Sequence, residues 1–211
     1  YNGIILKTID GGNSWLPLNL SPPYKSLMDV FFVSEELGWV IGDMEDGKIW
    51  RTTDGGNNWD LVFENDPILI SIHFADSLTG WVSGTQGAIY KTIDGGDNWE
   101  YQNSNTPGYL NKIMFIDDMY GWICGSEGLW HTQDGGENWI SVPSPATHWL
   151  KDLTFIDENN LWSCGNYCTI IVYTIRPVHQ SGCLLISTYS QIHFCNNCII
   201  WTIFPPTSIY N

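Results

Sequence analysis

One short phrase occurs four times in the 211-residue chain and constrains its fold more than any other feature. It reads Thr, any residue, Asp, two Gly, two polar residues and Trp, and it returns about every 40 residues. The copies are KTIDGGNSW (7–15), RTTDGGNNW (51–59), KTIDGGDNW (91–99) and HTQDGGENW (131–139). A phrase that returns at this interval indicates one structural unit built several times, and therefore a repeat protein.

Each copy predicts a β-hairpin, because it lies between short runs of β-branched and aromatic residues. The Asp carboxylate can accept hydrogen bonds from backbone N–H groups of the turn, and the two glycines supply positive φ angles. The Trp begins the return strand and can cover the turn with its ring. We therefore predict a structural role for the repeated residues, which are Asp10, Gly11, Gly12, Trp15, Asp54, Gly55, Gly56, Trp59, Asp94, Gly95, Gly96, Trp99, Asp134, Gly135, Gly136 and Trp139.

The repeated aspartates could instead form calcium sites or a set of catalytic carboxylates. A calcium loop gathers several oxygen ligands at alternating positions, whereas each copy offers one acid followed by two glycines. The copies also belong to separate structural units, so they would not converge on one ion. We expect no metal, no cofactor and no catalytic residue in this set.

A longer unit surrounds each hairpin. Aligning LMDVFFVSEELGWVIG, LISIHFADSLTGWVSG, LNKIMFIDDMYGWICG and LKDLTFIDENNLWSCG gives three columns of large apolar residues. The columns are Leu27, Leu69, Leu110 and Leu150; Phe32, Phe74, Phe115 and Phe155; and Trp39, Trp81, Trp122 and Trp162. Four short antiparallel strands in each unit predict an all-β fold, the β-propeller, in which the ring columns fill the space between neighbouring sheets.

The repeat assigns half blades to both ends of the propeller region, residues 1–166. Residues 1–20 supply the third and fourth strands of one blade, and 149–166 supply the first and second strands of another. Three complete blades lie between them, at 24–64, 67–104 and 109–144. The two halves could join into one blade of a four-bladed ring. Because the chain starts at Tyr1 without an initiator Met or a readable signal peptide, we expect instead a piece of a longer propeller.

Residues 167–211 form a tail of different composition, with one charged residue, one glycine and four of the six cysteines. One interpretation of the tail is a zinc or disulfide module, built from four cysteines with help from His179 or His193. The four cysteines are Cys164, Cys168, Cys195 and Cys198. Cys164 is already explained by the repeat, since it shares a column with Cys124 and Ser83, and we therefore predict no metal site.

Two further interpretations of the tail compete. It could be a divergent closing blade, with strands in CTIIVYTI and CIIWTIF. We favour a departure of the coding frame from the repeat after Asn166, because every acidic residue disappears there at once. Such a tail would pack poorly or expose apolar β segments.

The whole chain has a formal net charge of −15, and its negative charge lies in residues 1–166, which hold all 23 acidic residues and seven of the eight basic ones. An acidic surface repels phosphate backbones, so nucleic acid is a poor candidate partner. No apolar run reaches the roughly 18 residues that a membrane-spanning helix needs. The sequence leaves the oligomeric state open.

The phrase TxDGGxxW resembles the Asp-box, or bacterial neuraminidase repeat. Together with GW(V/I)xG upstream, over residues 1 to about 165, it resembles the photosystem II stability and assembly factor family. The resemblance implies a non-enzymatic scaffold that binds a protein outside the cytoplasm, in a thylakoid lumen, a periplasm or the extracellular space. Such factors are expected to use an arginine-containing surface, but this chain has only Arg51 and Arg176. Arg51 shares a column with Lys7, Lys91 and His131 and is expected at the surface end of a strand.

In a propeller, the connections between strands two and three and those between successive blades emerge on one face. The sequence places four aromatic residues there, beside the loop around Asp43–Gly47, and they form the candidate rim: Tyr24, Tyr109, His148 and Trp149. Aromatic residues at a rim suit contact with a protein, and carbohydrate is the alternative ligand. Ordinary packing between blades is the alternative role for these residues.

Three other functions share the Asp-box. A sialidase would need three arginines for the substrate carboxylate, and the chain has two. A glycosidase with two carboxylates could use Asp29 and Asp152, which share a column of the first strand, although a polar residue in such a column is more often solvent-facing. A sortilin-like receptor ectodomain would need a cysteine-rich module and a membrane span, and neither is recognisable in this sequence.

Overall fold

The computed structural model of the chain describes residues 3–18, 26–43, 46–142, 149–157, 160–167, 169–174, 191–195 and 198–203, with side chains up to residue 172. Within these ranges the regular structure is β-strand, apart from one 3-10 turn at Thr85–Gly87. The strands form five antiparallel or mixed sheets, which we call blades 1 to 5 in chain order.

Blade 1 contains β1 (Ile5–Lys7) and β2 (Leu16–Leu18). Blade 2 contains β3 (Leu27–Phe32), β4 (Gly38–Gly42), β5 (Gly47–Thr52) and β6 (Asp60–Asn65). Blade 3 contains β7 (Leu69–Phe74), β8 (Gly80–Gly84), β9 (Ala88–Thr92) and β10 (Glu100–Asn103). Blade 4 contains β11 (Leu110–Phe115), β12 (Gly121–Gly125), β13 (Gly128–Thr132) and β14 (Ile140–Val142). Blade 5 contains β15 (Leu150–Asp157), β16 (Asn160–Gly165), β17 (Thr169–Thr174), β18 (Gln191–Cys195) and β19 (Cys198–Ile203).

Blades 2, 3 and 4 have the same topology, in which four strands follow one another as an antiparallel meander. The first strands of successive blades lie against one another, from β3 to β7, β11 and β15. The second strand of each of these three blades is buried along its whole length, because it lies between the first and third strands and is covered on both faces. This arrangement confirms the predicted all-β propeller fold.

The joints between blades are built from the Phe and Trp columns. Trp39 in blade 2 stacks on Phe74 in blade 3, with ring centroids 3.6 Å apart and planes inclined by 11°. Trp81 in blade 3 stacks on Phe115 in blade 4 in the same way, at 3.5 Å and 6°. Large rings therefore fill the space between neighbouring sheets, as the repeat predicts.

Blade 5 departs from the meander after its third strand. β16 pairs with β17 in antiparallel orientation, but β17 then pairs with β19 in parallel, and β18 lies at the edge beyond β19. β17 and β19 fall within the two segments that the closing-blade interpretation of the tail names as strands. The tail therefore extends the sheet of blade 5 with a strand order that blades 2 to 4 do not have.

Candidate functional site

The Asp-box turns are held by hydrogen bonds inside each turn. In blade 3, Asp94 Oδ1 accepts from Thr92 Oγ1 at 2.8 Å and from the backbone N–H of Asn98 at 2.9 Å, while Oδ2 accepts from Asn98 Nδ2 at 2.8 Å. Thr92 Oγ1 in turn accepts from Gly96 N at 2.9 Å. The equivalent residues of blades 1, 2 and 4 repeat the pattern, with Ser14 in the place of Asn98 in blade 1. Each carboxylate is thus committed to its own turn.

These hydrogen bonds keep the carboxylates ionised well into the acid range. Bonds from Ser14 lower the pKa of Asp10 to about 2, and bonds from Asn58 lower the pKa of Asp54 to about 2. The side-chain bond from Asn98 acts likewise on Asp94, whose pKa is also about 2. Donors that favour the charged form lower an acid pKa, and an acid with so low a pKa is a poor proton donor in catalysis.

In blades 2, 3 and 4, the first glycine of the turn also anchors the blade to its predecessor. Gly95 O in blade 3 accepts a hydrogen bond from Trp39 Nε1 at 3.1 Å and another from Arg51 Nη1 at 3.0 Å, both in blade 2. Trp81 Nε1 donates to Gly135 O at 3.0 Å in the next joint. Because buried N–H groups need acceptors, the glycine carbonyl of the turn provides the acceptor for the indole N–H of the Trp in the preceding blade.

Arg51 corrects one expectation. We expected a surface residue at a strand end, but the side chain is only 25% exposed and forms an ion pair with Asp97 at 2.7 Å besides its bond to Gly95 O. Lys7 makes the same kind of bond, from Nζ to Gly55 O at 2.8 Å. Lys7 and Arg51 therefore serve the joints between blades. Arg51 is the one arginine among the described residues, and its side chain is committed to such a joint instead of to the arginine-containing surface expected of an assembly factor.

The opposite face of the blades carries the candidate rim. In each of blades 2 to 5, the residue after the second strand donates its backbone N–H to the carbonyl of the residue before the first strand: Asp43 to Ser26, Thr85 to Ile68, Ser126 to Tyr109 and Asn166 to Trp149. A Cβ at Gly125 would collide with Tyr109 O, so glycine is required where the two segments meet. These bonds bring both kinds of connection to one face.

Two of the four predicted rim residues lie together there. The rings of Tyr109 and Trp149 stack with centroids 5.2 Å apart and planes inclined by 28°. They remain 45% and 41% exposed, although their stack joins blades 4 and 5 and so also packs one blade against the next. Lys151 Nζ lies 4.6 Å from the centroid of the Trp149 ring, within the range of a cation–π interaction. We call Tyr109, Trp149 and Lys151 the aromatic clamp.

The backbone under the aromatic clamp is firmly held. Asn111 Nδ2 in blade 4 donates to Leu150 O in blade 5 at 2.6 Å, which ties the two first strands together directly below the rings. Ser126 Oγ accepts from Tyr109 N at 2.9 Å, and Glu127 accepts a hydrogen bond from Thr106 Oγ1 at 2.6 Å. Rings held by a fixed backbone lose little entropy when they bind a ligand.

The sequence did not identify Lys151 or Asn111, although each lies two positions after a rim residue. Tyr24 and His148, the other two predicted rim residues, lie outside the described residues. The loop at 42–47 is described only in part, and Lys48 beside it contacts three acids, Asp43 at 2.9 Å, Glu64 at 3.2 Å and Asp46 at 3.9 Å.

Asp29 and Asp152, the proposed glycosidase pair, have different surroundings. Asp29 Oδ2 accepts from Ser71 Oγ at 3.0 Å and from Ile72 N at 3.1 Å in blade 3, and it pairs with Lys112 Nζ in blade 4 at 3.2 Å. The expected solvent-facing position was therefore wrong for Asp29, whose column joins three blades. Asp152 is exposed, and Oδ1 accepts from Leu153 N at 2.9 Å.

The described ranges contain no cluster of three or more His, Cys, Asp or Glu side chains that could hold a metal ion. Nor do they contain a helix with the length and apolar character to cross a bilayer. Cys124 is buried and Cys164 is exposed, and both are free thiols. Burial raises the pKa of the Cys124 thiol to about 12, so it is not a nucleophile at neutral pH.

Comparison with known proteins supports the same fold. The family model of the photosystem II assembly factor YCF48 matches residues 60–148. No curated protein matches the chain. A structure of YCF48 bound to D1 peptide is 21% identical and covers 71% of this chain and 63% of its own, with a TM-score of 0.52.

Glycoside hydrolase structures share the architecture at lower identity. An ancestral GH74 enzyme is 17% identical and covers 76% of this chain and 24% of its own, with a TM-score of 0.63. The GH74 enzyme of Niastella koreensis is 16% identical and covers 74% and 29%, with a TM-score of 0.57. The chain thus spans less than two thirds of these proteins, and similarities at this identity show the fold alone. The described blades have the β-propeller fold, and residues 60–148 within them match the repeat model of the photosystem II assembly factor YCF48.

Proposed function

We propose that the chain is a non-enzymatic scaffold that binds an extended segment of a partner protein on the aromatic clamp. The observation that carries the proposal is the stacked pair of Tyr109 and Trp149, which stays exposed, whereas the Trp–Phe stacks at the joints between blades 2 and 3 and between blades 3 and 4 are buried. Exposed rings of this kind supply a large contact area at a small entropic cost, and Tyr and Trp are enriched in protein-binding surfaces.

The chemistry of the clamp suits a peptide. The two rings offer an apolar platform for a side chain, and the N–H groups of Lys151 can donate to backbone carbonyls or to a carboxylate of the partner. The YCF48 match over residues 60–148 and the structure of YCF48 with a D1 peptide support a protein partner. The same resemblance supports a location outside the cytoplasm for this chain.

A labelled D1 peptide is the direct probe. We expect saturable binding in fluorescence anisotropy, and an affinity loss of at least about tenfold in the Tyr109→Ala/Trp149→Ala double variant. Tyr101→Ala is the matched control, since Tyr101 is 60% exposed on the outer strand of blade 3, away from the rim connections. Equal affinity of the double variant and the wild type would contradict the proposal.

Carbohydrate is the second candidate ligand, because stacked exposed rings also form platforms for sugar rings. A xyloglucan oligosaccharide in the same assay distinguishes the two: tight sugar binding with no peptide binding would favour the carbohydrate function. A glycosidase is disfavoured, because the Asp29 carboxylate is committed to Lys112 and to blade 3. Hydrolysis of plant glucans that disappears in an Asp29→Asn/Asp152→Asn variant would reverse that judgement.

A further inference from the structure

The joint between blades 2 and 3 contains an internal guanidinium site. Arg51 in blade 2 donates from Nη1 to Gly95 O at 3.0 Å and forms an ion pair with Asp97 Oδ1 at 2.7 Å, both in the Asp-box of blade 3. Beside it, Phe63 on the outer strand of blade 2 lies edge-on to Trp99 at 6.3 Å and packs in the joint. A basic group, an acid and an apolar ring therefore fill this place together.

The next joint, between blades 3 and 4, carries other residues at these positions. Lys91 stands in the column of Arg51, and Glu137 stands in that of Asp97. Lys91 Nζ lies so close to Gly135 that a Cβ there would collide with it. Among the described residues, however, no ion pair joins Lys91 to Glu137, and the Glu137 side chain is exposed. This joint thus has the acid without the guanidinium that its counterpart has.

The outer strand of blade 3 adds a buried amide to this joint. Gln102 pairs with Ile89 in the sheet as Phe63 pairs with Ile49, so an amide replaces the aromatic ring. Gln102 is only 9% exposed, and its Oε1 lies against Gly136 of blade 4 without a hydrogen bond to any described residue. A carbonyl oxygen that is buried without a donor is costly, so a ligand that supplies an N–H group is favoured there.

A groove of about 740 Å³ opens at this joint, within the range of roughly 300–1,000 Å³ that ligand sites occupy. Its lining includes Lys91, Asp94, Glu100, Gln102, Gly136 and Glu137. The Asp94 carboxylate is committed to its own turn, but those of Glu100 and Glu137 are exposed, and Lys91 is the one cation of the lining. Acids therefore outnumber cations in the groove, and a positively charged ligand fits it.

We propose that this groove binds an arginine side chain of a partner polypeptide, which takes the place that Arg51 fills in the preceding joint. The guanidinium donates to the Glu137 carboxylate and to Gln102 Oε1, because its planar fork of N–H groups can reach two acceptors at once. The net charge of −15 attracts basic segments toward the surface. The groove lies beside the Asp-box turns, on the side opposite to the aromatic clamp, and is independent of it.

N-acetyl-arginine amide is the simplest probe, titrated into isotope-labelled protein and followed by NMR. We expect saturable shifts of the backbone amides of Gly136 and Glu137. N-acetyl-lysine amide should bind at least about threefold more weakly, because an ammonium is a point charge that cannot form the same paired hydrogen bonds. Equal binding of the two probes would show an unspecific attraction of charge and overturn the proposal, as would shifts that do not saturate.

Two variants test the residues of the groove. Glu137→Gln removes the charged acceptor, and Lys91→Arg supplies an internal guanidinium that should fill the groove as Arg51 fills the preceding joint. We expect each variant to bind the arginine probe at least about threefold more weakly. Asp60→Asn is the matched control and should bind like the wild type, since exposed Asp60 holds the position of Glu100 in blade 2. Wild-type affinity in either test variant would contradict the proposal.

The clamp variant separates this site from the proposed peptide site. Tyr109→Ala/Trp149→Ala should bind the arginine probe like the wild type, because its substitutions lie on the other face of the blades. Weaker binding in this variant would assign the probe to the aromatic clamp and overturn the proposal. Circular dichroism of every variant checks that the loss of binding does not come from unfolding.

Discussion

The two faces of the propeller differ in how far the residues and hydrogen bonds recur from blade to blade. On the Asp-box face, blades 1 to 4 show the same turn with the same hydrogen bonds. On the rim face, the backbone bond recurs in blades 2 to 5, but the side chains before the first strand change from Ser26 to Ile68, Tyr109 and Trp149. The comparison indicates that the repeated residues hold the blades together, and it is the variable residues to which we assign binding in our proposal.

The largest expected effect comes from breaking a joint. Trp81→Ala removes the stack on Phe115 and the bond to Gly135 O from a site that is fully buried. We expect a loss of about 3–5 kcal/mol in the free energy of unfolding, measured by urea denaturation. Trp15→Ala is the control, because Trp15 is 56% exposed and should cost less than about 1 kcal/mol. Equal costs would show that the joints do not carry the stability.

A smaller effect is expected from one Asp-box turn. Thr92→Val keeps the shape of the side chain but leaves Gly96 N–H and Asp94 without their buried partner. We expect destabilisation of about 1–3 kcal/mol by the same measurement. Thr154→Val, at an exposed strand position, is the control and should change little. If the two substitutions behave alike, the turns are not the structural devices described above.

The sequence predicted the parts of the fold that repeat. The spacing of Leu, Phe and Trp places each residue on the same strand in every blade, and so the joints follow from it. The contacts that link different blades were harder to predict from the sequence, because Arg51 and Asp29 contact partners that lie 44 and 83 positions away along the chain. These contacts depend on the angle between neighbouring blades, which the sequence of a single repeat does not encode. Two of the three clamp residues, Tyr109 and Trp149, were identified from the sequence, but Lys151 was not.

Acid should weaken the protein in two stages. Burial lowers the pKa of His73 from 6.5 to about 4, so the unfolded chain binds the proton more tightly and stability falls between these values. The lowered pKa values of Asp54 and Asp94 act below about pH 4, where stability is lost as pH falls toward 2. Thermal unfolding against pH measures both. The His73→Gln variant should lose only the first stage, the fall in stability between pH 6.5 and about 4. If that fall persists in the variant, another titratable group causes it.

The polar link at the centre of the first strands should contribute least to stability. Asp29 and Lys112 keep 21% and 29% of their side chains exposed, and partly solvated pairs contribute about 1 kcal/mol or less. A double-mutant cycle with Asp29→Asn and Lys112→Met measures the coupling. A coupling of several kcal/mol would make this pair, and not the ring stacks, the main link between blades 2 and 4.

The most direct test of the division between the faces measures binding and stability on one variant. Tyr109→Ala/Trp149→Ala should bind the D1 peptide at least about tenfold more weakly than the wild type, and its unfolding free energy should fall by less than about 1 kcal/mol, since both rings are over 40% exposed. Unchanged affinity, or a stability loss as large as that of Trp81→Ala, would contradict the assignment of the rim face to binding.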